Sequence, residues 1–141
     1  MSTFPMQVVS LDGLEYDGEV QRIKLRTIDG DVAILARHTN YCTAIGMGTA
    51  EITMEDNSKR SAACIGGMIS MMNGSCRVLP TTWEWEDEID VDRASRARER
   101  AEEKLKDANL SKQERVRMEA KLYRALIRLD AAKTEDRKSV V

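Results

Sequence analysis

Residues 88–100 read EIDVDRASRARER, an acidic cluster that turns into arginines alternating with small residues. The stretch divides the chain, because the period of the apolar residues changes across it. Upstream, Met6 and Val8, then Val20, Ile23 and Leu25, then Ala50, Ile52 and Met54 read as short, half-buried strands. Turn signals separate them at Leu11-Asp12-Gly13, Asp29-Gly30-Asp31, Glu55-Asp56-Asn57-Ser58 and Asn73-Gly74. The last is the strongest hairpin signal, since Asn and Gly both tolerate the positive φ that a type I′ turn requires. Many short strands with closely spaced turns predict an antiparallel sandwich or barrel over residues 1–87.

From Asp90 onward the chain holds no Gly or Pro. Val91, Ala94, Ala97, Ala101, Leu105 and Ala108 recur at intervals of three and four and form one narrow, Ala-rich stripe. Ser111-Lys112-Gln113-Glu114 is a capping box and starts a second helix. Met118, Leu122, Ala125, Leu129 and Ala132 fall along one face of it, widened by Leu126. Ala108-Asn109-Leu110 is then the connection of an antiparallel two-helix hairpin over residues 88–137, with 138–141 as a tail. Alanine buries little apolar area, so this hairpin is expected to be marginal by itself and to dock or extend according to its partners.

Charge follows the same division. Residues 1–87 carry 7 Lys and Arg against 12 Asp and Glu, whereas residues 88–141 carry 15 against 12. The two parts therefore present different surfaces. No basic segment leading into an apolar stretch marks the N-terminus as a signal peptide, and no apolar run approaches the roughly 20 residues that span a bilayer. No direct membrane insertion is expected.

Catalytic machinery is absent from the pattern. His38 is the single histidine and has no nucleophile or acid beside it. Cys42, Cys64 and Cys76 have spacings that suit neither a disulfide framework nor a zinc site and read as reduced, buried thiols. Gly66-Gly67, inside a strand pattern, marks a bulge or a close backbone approach rather than a phosphate loop. An adaptor that binds nucleic acid through the basic helices is a competing class. The helices carry Tyr123 alone for base stacking and the whole chain is acidic, so no nucleic-acid partner is expected.

Thr27-Ile28-Asp29-Gly30-Asp31-Val32-Ala33-Ile34-Leu35 with His38, Ile65-Gly66-Gly67-Met68, Cys76-Arg77-Val78-Leu79, and Ile89-Asp90 with Arg93-Ala94 form an ordered set. In order and spacing the set resembles the epsilon subunits of F-type, proton-translocating ATP synthases, and the resemblance covers nearly the whole chain. The chain departs from that pattern at Ala36-Arg37, where relatives commonly have Pro-Gly, and at Met68, where an aromatic often stands.

The resemblance implies a non-catalytic rotor subunit, peripheral on the cytoplasmic face of the plasma membrane. It would join the gamma subunit to the c-ring, and its hairpin would reach the catalytic beta subunits to inhibit ATP hydrolysis. Asp29, Gly30, Asp31 and His38 fall at the positions that face the c-ring, although an ordinary exposed turn is the simpler reading of the first three. Arg96, Arg98, Arg100, Arg115 and Arg117 would belong to a basic inhibitory face, unless their own carboxylate neighbours neutralise them. Neither a metal nor any other cofactor is implied as a requirement, but ATP is implied as a regulatory ligand. Glu84, Ile89, Asp90, Arg93, Ala94, Arg124 and Arg128 match the residues that would hold it. Arg124 and Arg128, one turn apart, place two guanidinium forks on one helix face. Asp90 has a second reading as a helix cap, and the two arginines as partners of neighbouring acids.

Overall fold

In the computed structural model the backbone is described for residues 2–139 and the side-chain surroundings for residues 2–133. Seven strands come first: β1 (Phe4–Ser10), β2 (Gly13–Thr27), β3 (Gly30–Leu35), β4 (Tyr41–Ala44), β5 (Met47–Met54), β6 (Lys59–Met72) and β7 (Ser75–Trp85). Two helices follow, α1 (Val91–Leu105) and α2 (Lys112–Ser139). The strands run in the order β1-β7-β6-β5-β2-β3, β4 pairs with β6, and β1 also pairs with β2, so the sheet wraps around one core. All pairings are antiparallel except β1 with β7, which is parallel. That exception brings the two ends of the sandwich together and could not be read from local turn signals.

Alternation fills this core. Met6 and Val8 on β1, Ile52 on β5, Ile69 and Met71 on β6, and Val78 on β7 are almost fully buried. On β2 the buried apolar set is Val20, Ile23 and Leu25, a spacing that breaks period two. The register against β5 shifts between Val20 and Arg22, and the extra residue turns Ile23 back inward. Cys64 and Cys76 lie in the core, where burial pushes their thiols up to about 12. Cys42, read from the sequence as buried, is exposed on β4.

Backbone conformation follows the turn residues. Asn73 and Gly74 both have positive φ, 51° and 82°, as the type I′ hairpin requires. Of the two readings for Gly66-Gly67, the close approach holds at Gly67. A Cβ there would overlap the Leu79 carbonyl oxygen and lie 2.6 Å from Pro80 Cα. The pairing of β6 with β7 keeps its register on both sides of the glycines, so no residue is inserted in that ladder.

The hairpin differs in detail from its periodicity. α1 ends at Leu105, and Ala108 is exposed in the connection rather than in the stripe. The Asp107 carboxylate accepts the Asn109 N–H at 2.9 Å and turns the chain early. At the start of α2 the Ser111 hydroxyl accepts the Glu114 N–H at 3.1 Å, the half of the capping box that satisfies a helix-end donor. α2 carries two apolar faces. Met118 and Ala125 belong to the groove shared with α1, whereas Ile127, Ala131 and Ala132 pack with Ala63 and Ile89, backed by Met47. Leu126, expected to widen a single face, is instead 40% exposed, and Ile127 takes the sheet-facing position. Neighbouring residues on a helix lie about 100° apart, so the sequence of one stripe cannot say which of two adjacent apolar residues meets a second surface. The helix continues to Ser139, past the expected boundary at 137, and the tail residues Val140 and Val141 lie outside the described residues. Among the described residues no helix is long and apolar enough to cross a membrane.

Two substitutions test the positive-φ positions in opposite directions. Gly67→Ala must move backbone or adopt strain at φ 103° and is expected to cost about 2–4 kcal/mol. Arg37→Gly relieves a non-Gly residue at φ 67° and is expected to add a few tenths of a kcal/mol. Denaturant midpoints of the two variants check both signs.

Candidate functional site

The joint between sandwich and hairpin is built from short-range chemistry. Asp90 has extended backbone, caps α1, and accepts the Arg93 N–H at 3.0 Å through its carboxylate. Ile89, immediately before it, is buried in the pad under α2. Arg128 on α2 donates its Nε to the Glu84 carboxylate on β7 at 2.6 Å, with both side chains about one third exposed. On the other side of α2 the Thr49 hydroxyl on β5 donates to the Asp130 carboxylate at 2.7 Å. Two polar ties therefore flank the apolar pad.

A cleft of about 560 Å³ opens beside the first tie, along the groove between α1 and α2. Its floor is Ala94, Ala97, Ala101, Met118 and Ala125, so the small residues of the stripe leave open space. Six of the seven residues expected to hold a nucleotide line it: Glu84, Asp90, Arg93, Ala94, Arg124 and Arg128. Ile89 is not in the lining and supports the joint from beneath. Arg100, Lys104 and Lys121 also line the cleft, and they were not among the expected nucleotide residues. Their signal was present in the sequence as spacing. Arg100 and Lys104 continue the face of Arg93 at helical intervals, and Lys121 precedes Arg124 by three. Glu88, also missed, lines the joint end with Glu84 and Asp90. The lining therefore holds six cations and three carboxylates, a surplus of positive charge suited to an anion.

The expected basic face is divided. Arg98 is paired with Glu102 at 2.7 Å, and Arg100 turns into the cleft. Arg115 donates to the carbonyls of Leu105 and Asp107 at 3.4 and 3.2 Å, closing the end of α1 and the connection. Arg96 and Arg117 are exposed and enter no ion pair among the described residues.

The residues expected at a ring surface are not one cluster. Ile28 and Asp29 form the turn between β2 and β3 and Gly30 opens β3, all braced by Thr27, whose hydroxyl donates to the Gly30 carbonyl at 2.8 Å and accepts the Asp29 N–H at 3.1 Å. Asp31 follows on β3 and faces Arg26 at 3.9 Å. His38 lies beyond the other end of β3, edge-on to Tyr41 with ring centroids 5.8 Å apart. Six residues of extended strand separate the two, on the order of 20 Å.

Comparison with known proteins agrees with this architecture. The pattern of the family described as ATP synthase, delta/epsilon chain, β-sandwich domain matches residues 3–86, and that of the long α-helix domain of the same chains matches residues 87–133. The ATP synthase epsilon chain of Caldicellulosiruptor bescii is 39% identical over 132 residues, covering 94% of this chain and 95% of the relative. That of Caldanaerobacter subterraneus is 38% identical over 131 residues, covering 92% and 94%. Among solved structures, a chain of the Euglena gracilis mitochondrial ATP synthase superimposes with a TM-score of 0.81 at 22% identity, covering 94% of this chain and 82% of that chain, and shows the same fold.

Glu88 gives the joint a dependence on pH. Slight desolvation of this exposed side chain, and then the charges of Glu15, Asp87 and Glu84, push its carboxyl above the ordinary range, against a pull from Arg60 in the other direction. A carboxyl raised in the folded state favours folding when protonated, so its penalty is absent below the ordinary value of 4.5 and grows as pH rises above it. Glu88→Gln is expected to raise Tm slightly, by about 1 °C near neutrality, and to leave it unchanged in acid below that value. Thermal melts of the two proteins across pH check the sign.

Proposed function

The chain belongs to the family of ATP synthase delta/epsilon chains, and from that premise we propose that the cleft is an ATP site that holds the hairpin against the sandwich. The observation that carries this reading is where the lining comes from. Glu84 is on β7, Asp90 is at the joint, and Arg124 and Arg128 are on α2, so the full set converges only in the docked arrangement. A ligand bound there stabilises that arrangement by mass action, by about 2.7 kcal/mol at a hundred times its Kd. The adjacent guanidinium groups suit phosphate oxygens.

On this reading the subunit is non-catalytic. Its sandwich couples rotor to membrane sector by linking the gamma subunit to the c-ring, in a complex that moves protons at the cytoplasmic face of the plasma membrane. Asp29, Gly30, Asp31 and His38 contact the ring if β3, the end strand of the sheet order, lies along it, because only that orientation presents both ends of the strand. The extended hairpin reaches the catalytic beta subunits and inhibits hydrolysis, with Arg96 and Arg117 as its free cations and Arg98, Arg100 and Arg115 freed by rearrangement. ATP in the cleft opposes that extension.

Calorimetric titration of the full chain with ATP is expected to show one site, and Arg124→Ala with Arg128→Ala is expected to abolish it. An unaltered signal in the double variant would place the site elsewhere. In the assembled complex, truncation after Ile89 is expected to preserve coupling and raise ATP hydrolysis; unchanged hydrolysis would reject the inhibitory role.

A further inference from the structure

The cations of the cleft are arranged as two facing rows. Arg93, Arg100 and Lys104 lie along α1, and Arg128, Arg124 and Lys121 lie along α2. Contacts from Arg115 to Leu105 and Asp107 set the antiparallel register, so Lys104 and Lys121 fall toward the connection while Arg93 and Arg128 fall at the joint. From Arg93 to Lys104 the helix advances about 16 Å.

Charge along the cleft is uneven. The three carboxylates of the lining, Glu84, Glu88 and Asp90, all stand at the joint end. There Arg128 is already paired with Glu84. Toward the connection no carboxylate lines the cleft, and Lys104 and Lys121 make no ion pair or side-chain hydrogen bond among the described residues. An ordinary solvated helix face interleaves its cations with acids, as Arg98 and Glu102 do on the outer side of α1. Cations gathered along a floor of Ala101 and Met118 with no counter-charge beside them repel until an anion enters.

We propose that Lys104 and Lys121 form a terminal-phosphate subsite at the connection end of the cleft, so that the site selects ligands by the number of their phosphates. The proposal rests on the reading of the cleft as a nucleotide site. A monophosphate is held by the cations near the joint and does not reach the two lysines. A triphosphate chain extending along the groove does, and gains charge-assisted contacts that a shorter chain lacks. The same chemistry admits an inorganic polyphosphate, which differs in lacking a nucleoside at the joint end.

The test is calorimetric titration of the full chain and of the Lys104→Gln/Lys121→Gln variant with ATP, ADP, AMP and inorganic tripolyphosphate. Both lysines are exposed, so the variant is expected to keep the fold, with circular dichroism as the check. Affinity for ATP and tripolyphosphate is expected to fall about tenfold or more while that for AMP changes less than about twofold, and Lys104→Arg/Lys121→Arg is expected to restore the difference. An equal loss for every ligand would reduce the lysines to a general field and overturn the subsite. No loss for ATP or tripolyphosphate would also overturn it. Wild-type binding of tripolyphosphate without any nucleotide would remove the ATP reading and leave the subsite standing; binding of neither would remove both.

Discussion

Docking of α2 on the sheet is the constraint from which the rest of the site follows. The contact is small: Ile127, Ala131 and Ala132 meet Ala63 of β6 and Ile89 of the joint. Alanines bury little, so the two isoleucines supply most of the apolar term, at about 1.5–3 kcal/mol each. The sandwich core does not share these residues; it is closed by Met6, Ile23, Ile52, Ile69 and Val78, with Trp83 and Trp85 at one end. Two separate apolar clusters mean that the energy of docking is distinct from the energy of folding the sandwich. The Glu84–Arg128 and Thr49–Asp130 ties then fix which face of α2 meets the sheet.

That separation makes the cleft depend on docking. Its walls come from the sandwich, the joint and both helices, and its floor from alanines too small to fill the groove. A larger stripe would pack the helices more firmly and leave less room for a ligand. The Ala-rich pattern, a weakness when judged as a hydrophobic interface, is what creates open space lined by charge. The arginines and lysines around that space are spread over both helices, so the gathering of charge depends on how the two helices sit against each other and against the sandwich.

Much of the architecture was legible before any coordinates. The Asn73-Gly74 hairpin, the half-buried strands and the start of the first helix at Asp90 follow from local rules of φ, alternation and capping. Leu126 departs from its expected place because α2 has two apolar faces rather than one, and Ala108 keeps its place in the connection but not in the stripe because the Asp107 turn ends α1 before it. The parallel pairing of β1 with β7 joins residues some 70 positions apart and leaves no local trace. The basic run after Asp90 could not be apportioned from sequence, since Arg98, Arg100 and Arg115 are equally arginine and differ only in what they face.

The chemical alphabet of the site was thus set by sequence: Asp90 as a cap, Arg124 and Arg128 one turn apart, small residues at helical intervals, and a positive second half beside a negative first. Those properties depend on residues within a few turns of one another, where spacing maps directly onto direction. Tertiary structure decided the rest. It paired Arg128 with Glu84, 44 residues away, turned Arg100 inward with Lys104 and Lys121, and buried Ile89 beneath the site instead of in its wall. Each of these depends on how one helix is rotated against a sheet and another helix, and that rotation is fixed by contacts distant in the chain.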